Sequence, residues 1–184
     1  MIRWFVKRQM KAIEKSFGYD LSYAREILEA SPRAFWHLTR ITAAAGFREK
    51  VSRDAWYAAK LAATLSEDCG PCTQLVVTIA ERDSVNSATI RAILAEDKKA
   101  MPDEASLGFY FARAVLARDV GESDRLRAEI LKRWGPRGLV SLALAIASSR
   151  TFPTIKYALG HGRACTLVHV AGAAAPLAHR ESRV

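Results

Sequence analysis

The chain has 184 residues, half of them hydrophobic, which is enough for one substantial core and predicts a single domain. Its 28 lysines and arginines outnumber its 19 acidic residues and give a net charge of +9. These basic residues are scattered among the acidic ones, and the sequence has no known nucleic-acid-binding motif, so a nucleic-acid partner is not favoured. With only three cysteines the sequence is not that of a secreted scaffold held by many disulfides, and we expect a cytoplasmic protein.

The N-terminal segment, residues 1–19, has the pattern of a basic amphipathic helix. Apolar residues recur every three or four positions on one side of a helical wheel, and basic residues fall on the other side. The apolar set is Ile2, Phe5, Val6, Met10, Ile13 and Phe17, and the basic set is Arg3, Lys7, Arg8, Lys11 and Lys15. We expect this helix to pack against the body of the protein or a second subunit. Contact with an acidic membrane surface is the alternative.

Residues 20–160 show helical spacing of apolar residues throughout, which predicts an all-α domain. Glycines, prolines and capping residues divide it into helices at 20 or 22 to 30, 32–46, 52–65, 69–82, 87–96, 103–118, 122–134, 137–149 and 152–159. Asp68 is predicted to cap the helix that begins at Cys69. The most apolar run, 139–147, is too short to span a bilayer and predicts a buried core helix. The tail, residues 161–184, is predicted to be loosely packed or disordered.

The motif Cys69-Gly70-Pro71-Cys72 is the strongest chemical signal in the chain. Two cysteines three positions apart at a helix start can form and reopen a disulfide, and proline is tolerated there because first-turn amides lack helical partners. Thiol redox chemistry is therefore the favoured use, and two buried thiols that simply pack a helix start are the alternative. A thioredoxin fold has the same tetrapeptide but needs a strand before it, whereas residues 56–65 have a helical pattern.

Metal binding is a further alternative for the cysteine pair. The pair would supply half of a tetrahedral zinc site, and His161, Cys165 and His169 would share one face if their segment were helical. Gly160 and Gly162 disfavour a helix there. We therefore predict neither a bound metal nor a cofactor.

A wider pattern surrounds the motif. A helix ending at residues 65–68 is followed by Cys69-Gly70-Pro71-Cys72-Thr73-Gln74-Leu75 at the start of the next helix, and apolar helical segments follow at 110–116 and 142–147. Over about residues 30–160 this pattern resembles the AhpD-like alkylhydroperoxidase and carboxymuconolactone decarboxylase superfamily. The resemblance implies an all-α homo-oligomer whose cysteine pair reduces peroxides with electrons from a thiol protein. It also implies that Cys72 attacks the peroxide and Cys69 resolves the product.

The chain departs from the proton relay of that family. The family's redox motif has a glutamate twelve positions before the first cysteine and a histidine four positions after the second, and here those positions hold Tyr57 and Val76. Because a thiolate rather than a thiol attacks peroxide, another group must accept the proton. The candidate proton-transfer or orienting residues are Glu67, Asp68, Tyr57, Gln74 and His37. The first interpretation of His37, beside two aromatic residues, is nevertheless a core or interface histidine.

We therefore predict a thiol–disulfide oxidoreductase or alkylhydroperoxidase-like enzyme. It would be cytoplasmic and homo-oligomeric, would act on a small peroxide or disulfide, and would receive electrons from a thiol protein. A non-catalytic helical binding or assembly protein with the same fold is the first alternative. A cofactor-free lyase of the carboxymuconolactone decarboxylase type is the second.

Overall fold

The structure is a computed structural model that describes residues 2–163, 167–175 and 177–178. Within these residues it has eight helices and one short hairpin, so the predicted all-α, single-domain fold is confirmed. The helices are α1 (Ile2–Phe17), α2 (Ser22–Ala30), α3 (Pro32–Ala45), α4 (Arg53–Ser66), α5 (Gly70–Arg82), α6 (Ser87–Leu94), α7 (Asp103–Ala117) and α8 (Val120–Ala158). The strands are β1 (Val168–Val170) and β2 (Ala173–Ala175).

Side-chain caps account for several of the helix starts. Ser31 Oγ accepts a hydrogen bond from the first turn of α3, and Ser52 Oγ does the same for α4. Asn86 Oδ1 caps α6 through the amide of Ala88 at 2.8 Å. Each side chain pairs an amide that has no partner inside its helix, and this fixes where the helix begins.

The predicted cap at Asp68 is wrong. Helix α5 begins at Gly70, and Cys69 is the N-cap residue, with φ −103° and ψ 94° and no side-chain cap. Asp68 has φ 49°, so the chain reverses through a left-handed residue directly after α4. Because that reversal is completed at Asp68, the extended cap conformation falls one residue later, on the first cysteine.

Helix α8 replaces the last three predicted helices. The predicted turn at Gly135 is present as a single non-helical residue, with φ 66° and ψ −172°. The predicted break before residue 152 is wrong, because the helix continues through Pro153, whose side chain is buried. Proline removes one helical hydrogen bond but does not end a helix that tertiary packing holds.

Among the described residues one helix, α8, is long and apolar enough to cross a membrane by length and composition. In its most apolar window of 18 residues, 44% of the residues are buried inside the fold. Long core helices often meet this criterion, so it is weak evidence for a membrane span. In the run 139–147, Leu142, Ala145 and Ile146 are buried, as expected of a core helix, whereas Val140 and Leu144 are exposed.

Helix α4 lies at the centre of the main core. All eleven residues from 55 to 65 are buried, so this helix has neighbours on every side. Its closest neighbour is α7, where a Cβ on Gly108 would overlap the backbone of Ala55. The many alanines of α4 allow this close approach, and they bring α5 and α8 into contact with the same helix.

A second cluster joins the N-terminal helices to α8. Its buried members are Met10, Tyr19, Tyr23, Ala24, Leu28, Phe35 and Leu38. Val6 and Phe17 of α1 pack against it, so α1 packs on the body of the protein, one of the two alternatives predicted for it. Part of the apolar face of α1 nevertheless remains in solvent, because Phe5 is 56% and Ile13 is 45% exposed.

Residues 167–175 form a hairpin, which corrects the prediction of a loosely packed tail for this stretch. Val168 and Val170 are fully buried and point to the same face of β1, with His169 between them exposed. Ala171 and Gly172 have φ of 50° and 75°, the conformation of a tight two-residue hairpin turn. Because the alternation covers only three residues, its period of two is hard to recognise in an alanine-rich tail. Residues 164–166, 176 and 179–184 lie outside the described residues.

Candidate functional site

The two cysteines of the motif are joined in a disulfide. Their Cα atoms are 5.3 Å apart. Both side chains are buried, since Cys69 is fully buried and Cys72 is 4% exposed. Cys69 ends the turn after α4, and Cys72 lies in the first turn of α5. The carbonyl of Cys69 accepts from both the amide and the hydroxyl of Thr73, which anchors the pair to the helix start.

An apolar cavity of about 480 Å³, which we call the inner cavity, lies between helices α1 to α5 and α8. Helix α5 presents Cys72, Leu75, Val76 and Ile79 to it, residues whose spacing places them on one face of a helix. Cys69 does not line this cavity. The two cysteines are therefore not equivalent, because only Cys72 borders a space that a small molecule can occupy.

Among the described residues that line the inner cavity, Lys60 is the one lysine or arginine. Its Nζ donates to the carbonyl oxygen of Ala45 at 2.9 Å and lies 4.1 Å from the centre of the Trp56 ring. Burial lowers the pKa of Lys60 to about 8, because an ammonium group is poorly solvated there. Sequence reasoning missed this residue, although a single charged side chain inside the apolar run 55–65 is a recognisable signal.

Two further polar features border the inner cavity. The side chains of Tyr19 and Tyr23 lie close together, and burial raises the pKa of each. Lys156 lies 4.6 Å from the centre of the Tyr19 ring, and burial lowers its pKa. On α8, the buried Ser149 Oγ is the one buried side-chain polar atom of the described residues without a hydrogen-bond partner. Nothing in the sequence pattern marks Ser149.

The two predicted carboxylates do not line the inner cavity. Glu67 forms an ion pair with Arg150 of α8. The carbonyl oxygen of Asp68 accepts a hydrogen bond from the Tyr157 hydroxyl at 3.0 Å. These contacts attach the turn before the cysteines to α8.

Tyr57 and Val76 occupy the family's two relay positions, and they lie in different surroundings. Val76 lines the inner cavity one turn after Cys72. Tyr57 instead lies near Asp83 at the far end of α5, and burial together with that carboxylate raises the pKa of Tyr57 to about 12. Of the adjacent pair on α4 it is Trp56, not Tyr57, that lines the cavity.

Gln74 connects α5 to the hairpin. Its Nε2 donates to the carbonyl oxygen of His169 at 3.0 Å, and its Oε1 accepts from the His169 amide at 2.8 Å. Gln74 also lines a second opening of about 350 Å³, the outer cleft, together with Gly70, Pro71 and Arg163. This cleft borders the two residues between the cysteines, and it shares Phe17, Tyr19 and Leu75 with the lining of the inner cavity.

His37 is exposed on α3, so its interpretation as a core histidine is wrong. It does not line the inner cavity, although its neighbour Leu38 does. Adjacent residues on a helix point about 100° apart, so the two side chains lie on different faces of α3. The structure does not bring His37 to the cysteine pair.

The described residues contain no group of three histidine, cysteine or acidic side chains placed to hold a metal ion. His161 Nε2 lies 2.7 Å from Glu26 Oε2, and His169 is on strand β1 rather than on a helix. Cys165 lies outside the described residues.

A scan against protein-family models and searches of curated proteins and of solved structures found no match to this chain. The resemblance to the AhpD-like superfamily therefore depends on the motif and its surroundings. The family and its activity stay predictions.

Proposed function

We propose that this protein is a thiol–disulfide oxidoreductase of the alkylhydroperoxidase type, in which Cys72 attacks the substrate and Cys69 resolves the product. The observation that supports this proposal is the asymmetry of the pair. Cys72 lines the inner cavity, whereas Cys69 is fully buried beside it. A substrate in the cavity meets Cys72 first.

The proposed cycle begins when two thiols of an external donor reduce the disulfide to two thiols and are themselves oxidised to a disulfide. The Cys72 thiolate attacks the terminal oxygen of a hydroperoxide, the O–O bond breaks, and the alkoxide leaves as an alcohol with a proton from solvent. This step leaves Cys72 as a sulfenic acid. The Cys69 thiol then forms the S–S bond with Cys72 and releases water. For a disulfide substrate, Cys72 forms a mixed disulfide, and Cys69 displaces the second thiol from it.

The start of α5 stabilises a thiolate at Cys72, and the apolar burial of the side chain acts against it. A helix N-terminus stabilises a nearby anion by about 0.3–1 kcal/mol, and by up to about 2 kcal/mol where it is partly buried. The ion pair with Arg150 compensates the charge of Glu67, the carboxylate two residues before Cys69. Because that negative charge is compensated, Glu67 repels a thiolate at Cys72 less, and less of the stabilisation of the thiolate by α5 is cancelled.

The partners follow from the same arrangement. The thiol of the electron donor has to reach a sulfur of the disulfide, and we place its entry at the inner cavity, where Cys72 is a lining residue. A cytoplasmic location agrees with a disulfide that must be reduced in each cycle. A homo-oligomer would cover exposed apolar side chains of α8, Val140 and Leu144, and light scattering of the purified protein measures the subunit number.

The test of the proposal is peroxide consumption coupled to dithiothreitol. Wild type should turn over tert-butyl hydroperoxide, and Cys72→Ser should abolish turnover. Cys69→Ser, reduced and then freed of dithiothreitol, should consume one equivalent of peroxide and leave a sulfenic acid at Cys72 that dimedone labels. Cys165→Ser is the matched control and should keep the wild-type rate. Circular dichroism shows whether each variant is folded.

A non-catalytic binding protein is the second candidate, and the burial of both cysteines favours it. In that case the disulfide only holds the start of α5. Equal rates for wild type and Cys72→Ser, or no alkylation of either thiol in the native protein after dithiothreitol treatment, would overturn the redox proposal.

A further inference from the structure

The inner cavity combines apolar walls with a lysine that has no counter-ion and a serine hydroxyl that has no hydrogen-bond partner among the described residues. Its volume of about 480 Å³ falls within the range of small-molecule sites, about 300–1,000 Å³. Phe35, Leu38 and Ile79 are among the apolar residues that line it. The polar exceptions that matter here are Lys60 on α4 and Ser149 on α8.

The charge of Lys60 is not compensated within the described part of the chain. No carboxylate oxygen there lies within 4.0 Å of its Nζ. One of its three donor hydrogens is used by the Ala45 carbonyl, and the Trp56 ring supplies the remaining contact. A buried cation without a counter-ion is costly, and a carboxylate is the group that best compensates it.

The hydroxyl of Ser149 points to the same kind of ligand. It is 96% buried, lines the inner cavity and has no hydrogen-bond partner among the residues that the structure describes. Buried hydroxyls in native proteins are nearly always paired, so the unpaired hydroxyl in this cavity wall indicates a partner that the described residues do not supply. An oxygen anion accepts from both a hydroxyl and an ammonium group.

We propose that the inner cavity binds an apolar carboxylic acid, such as a medium-chain fatty acid. Its carboxylate accepts hydrogen bonds from Lys60 Nζ and the Ser149 hydroxyl, and its hydrocarbon chain lies along the apolar walls. A neutral apolar molecule would leave the cation uncompensated, and an amine would be repelled by it. The proposal does not depend on thiol redox chemistry, because the site exists with the disulfide closed.

The experiment measures binding of decanoate, decanol and decylamine to the oxidised protein by calorimetry, below their micelle concentrations. Decanoate should bind at least tenfold more tightly than decanol, and decylamine should not bind. Lys60→Met should lower the affinity for decanoate at least tenfold and leave the affinity for decanol unchanged. Ser149→Ala should lower the affinity for decanoate about two- to fivefold. Lys98→Met removes a lysine charge from the exposed surface and is the matched control, with no effect expected.

Several outcomes would overturn the proposal. Equal affinity for decanol and decanoate would show an apolar cavity without carboxylate selectivity. Unchanged decanoate affinity in Lys60→Met would place the anion elsewhere, and no binding of decanoate at millimolar concentration would show that water fills the cavity. Retained binding of decanol shows that the Lys60→Met protein keeps its cavity. Since the protein is oxidised throughout, failure of the redox assay leaves this result unaffected.

Discussion

Replacing Lys60 by methionine tests whether a charged amine is buried in the inner cavity. Burial lowers the pKa of Lys60 from 10.5 to about 8. Below pH 8 the lysine is charged in both the folded and the unfolded protein, and its burial lowers the free energy of unfolding by about 3 kcal/mol at 1.36 kcal/mol per pKa unit. Between pH 8 and 10.5 the folded protein binds fewer protons than the unfolded one, so stability rises with pH. Above pH 10.5 the penalty is gone.

The measurement is urea unfolding of wild type and Lys60→Met at pH 6.5 and pH 9.5. The penalty is about 3 kcal/mol at pH 6.5 and about 1 kcal/mol at pH 9.5. The free energy of unfolding of wild type, relative to that of the variant, should therefore rise by about 2 kcal/mol from pH 6.5 to pH 9.5. The charge-dependent part of the Lys60 contacts with Ala45 and Trp56 is already contained in the pKa, and the part that does not depend on charge is the same at both pH values and cancels. The buried tyrosines titrate in both proteins and cancel as well. A difference independent of pH would refute the reasoning.

Three further predictions concern packing and hydrogen bonding. Ser149→Ala should raise the free energy of unfolding by about 1 kcal/mol because it removes an unpaired buried hydroxyl. Ser141→Ala should lower it by about 1–3 kcal/mol, because Ser141 Oγ accepts a hydrogen bond from the amide of residue 49. Gly108→Ala should lower it by about 3 kcal/mol, because the new methyl group overlaps the backbone of α4, and chemical denaturation measures this loss. Gln74→Ala should speed hydrogen exchange at the His169 amide at least tenfold, measured by mass spectrometry, because both hydrogen bonds between α5 and β1 are lost.

Each of these predictions has a contrary outcome. Equal losses for the two serine variants would mean that the Ser149 hydroxyl is paired. Gly121→Ala is the control for Gly108→Ala, because an added Cβ at position 121 meets only a side-chain oxygen 3.8 Å away, and equal effects would contradict the close approach of α4 and α7. Unchanged exchange at His169 in Gln74→Ala would mean that other contacts hold the hairpin.

The helices and the place of the cysteine pair were predictable from the sequence because both depend on local interactions. The cap at Ser31 followed by Pro32 and the cap at Ser52 act within one turn of their helices. The motif lies at the start of α5 because proline is tolerated there and not in most of a helix interior. The left-handed Asp68 was missed because the reversal depends on where α4 and α5 pack.

The inner cavity was not predictable, because it forms where faces of six helices meet. Helical spacing places Trp56, Lys60 and Thr64 on one face of α4, but every face of that helix is buried, so the pattern does not show which neighbour each face meets. Packing alone turns Tyr57 toward Asp83 and brings Lys60 into the same space as Cys72. Local spacing thus determines which side chains share a helix face, and only the tertiary contacts decide which faces surround a common site.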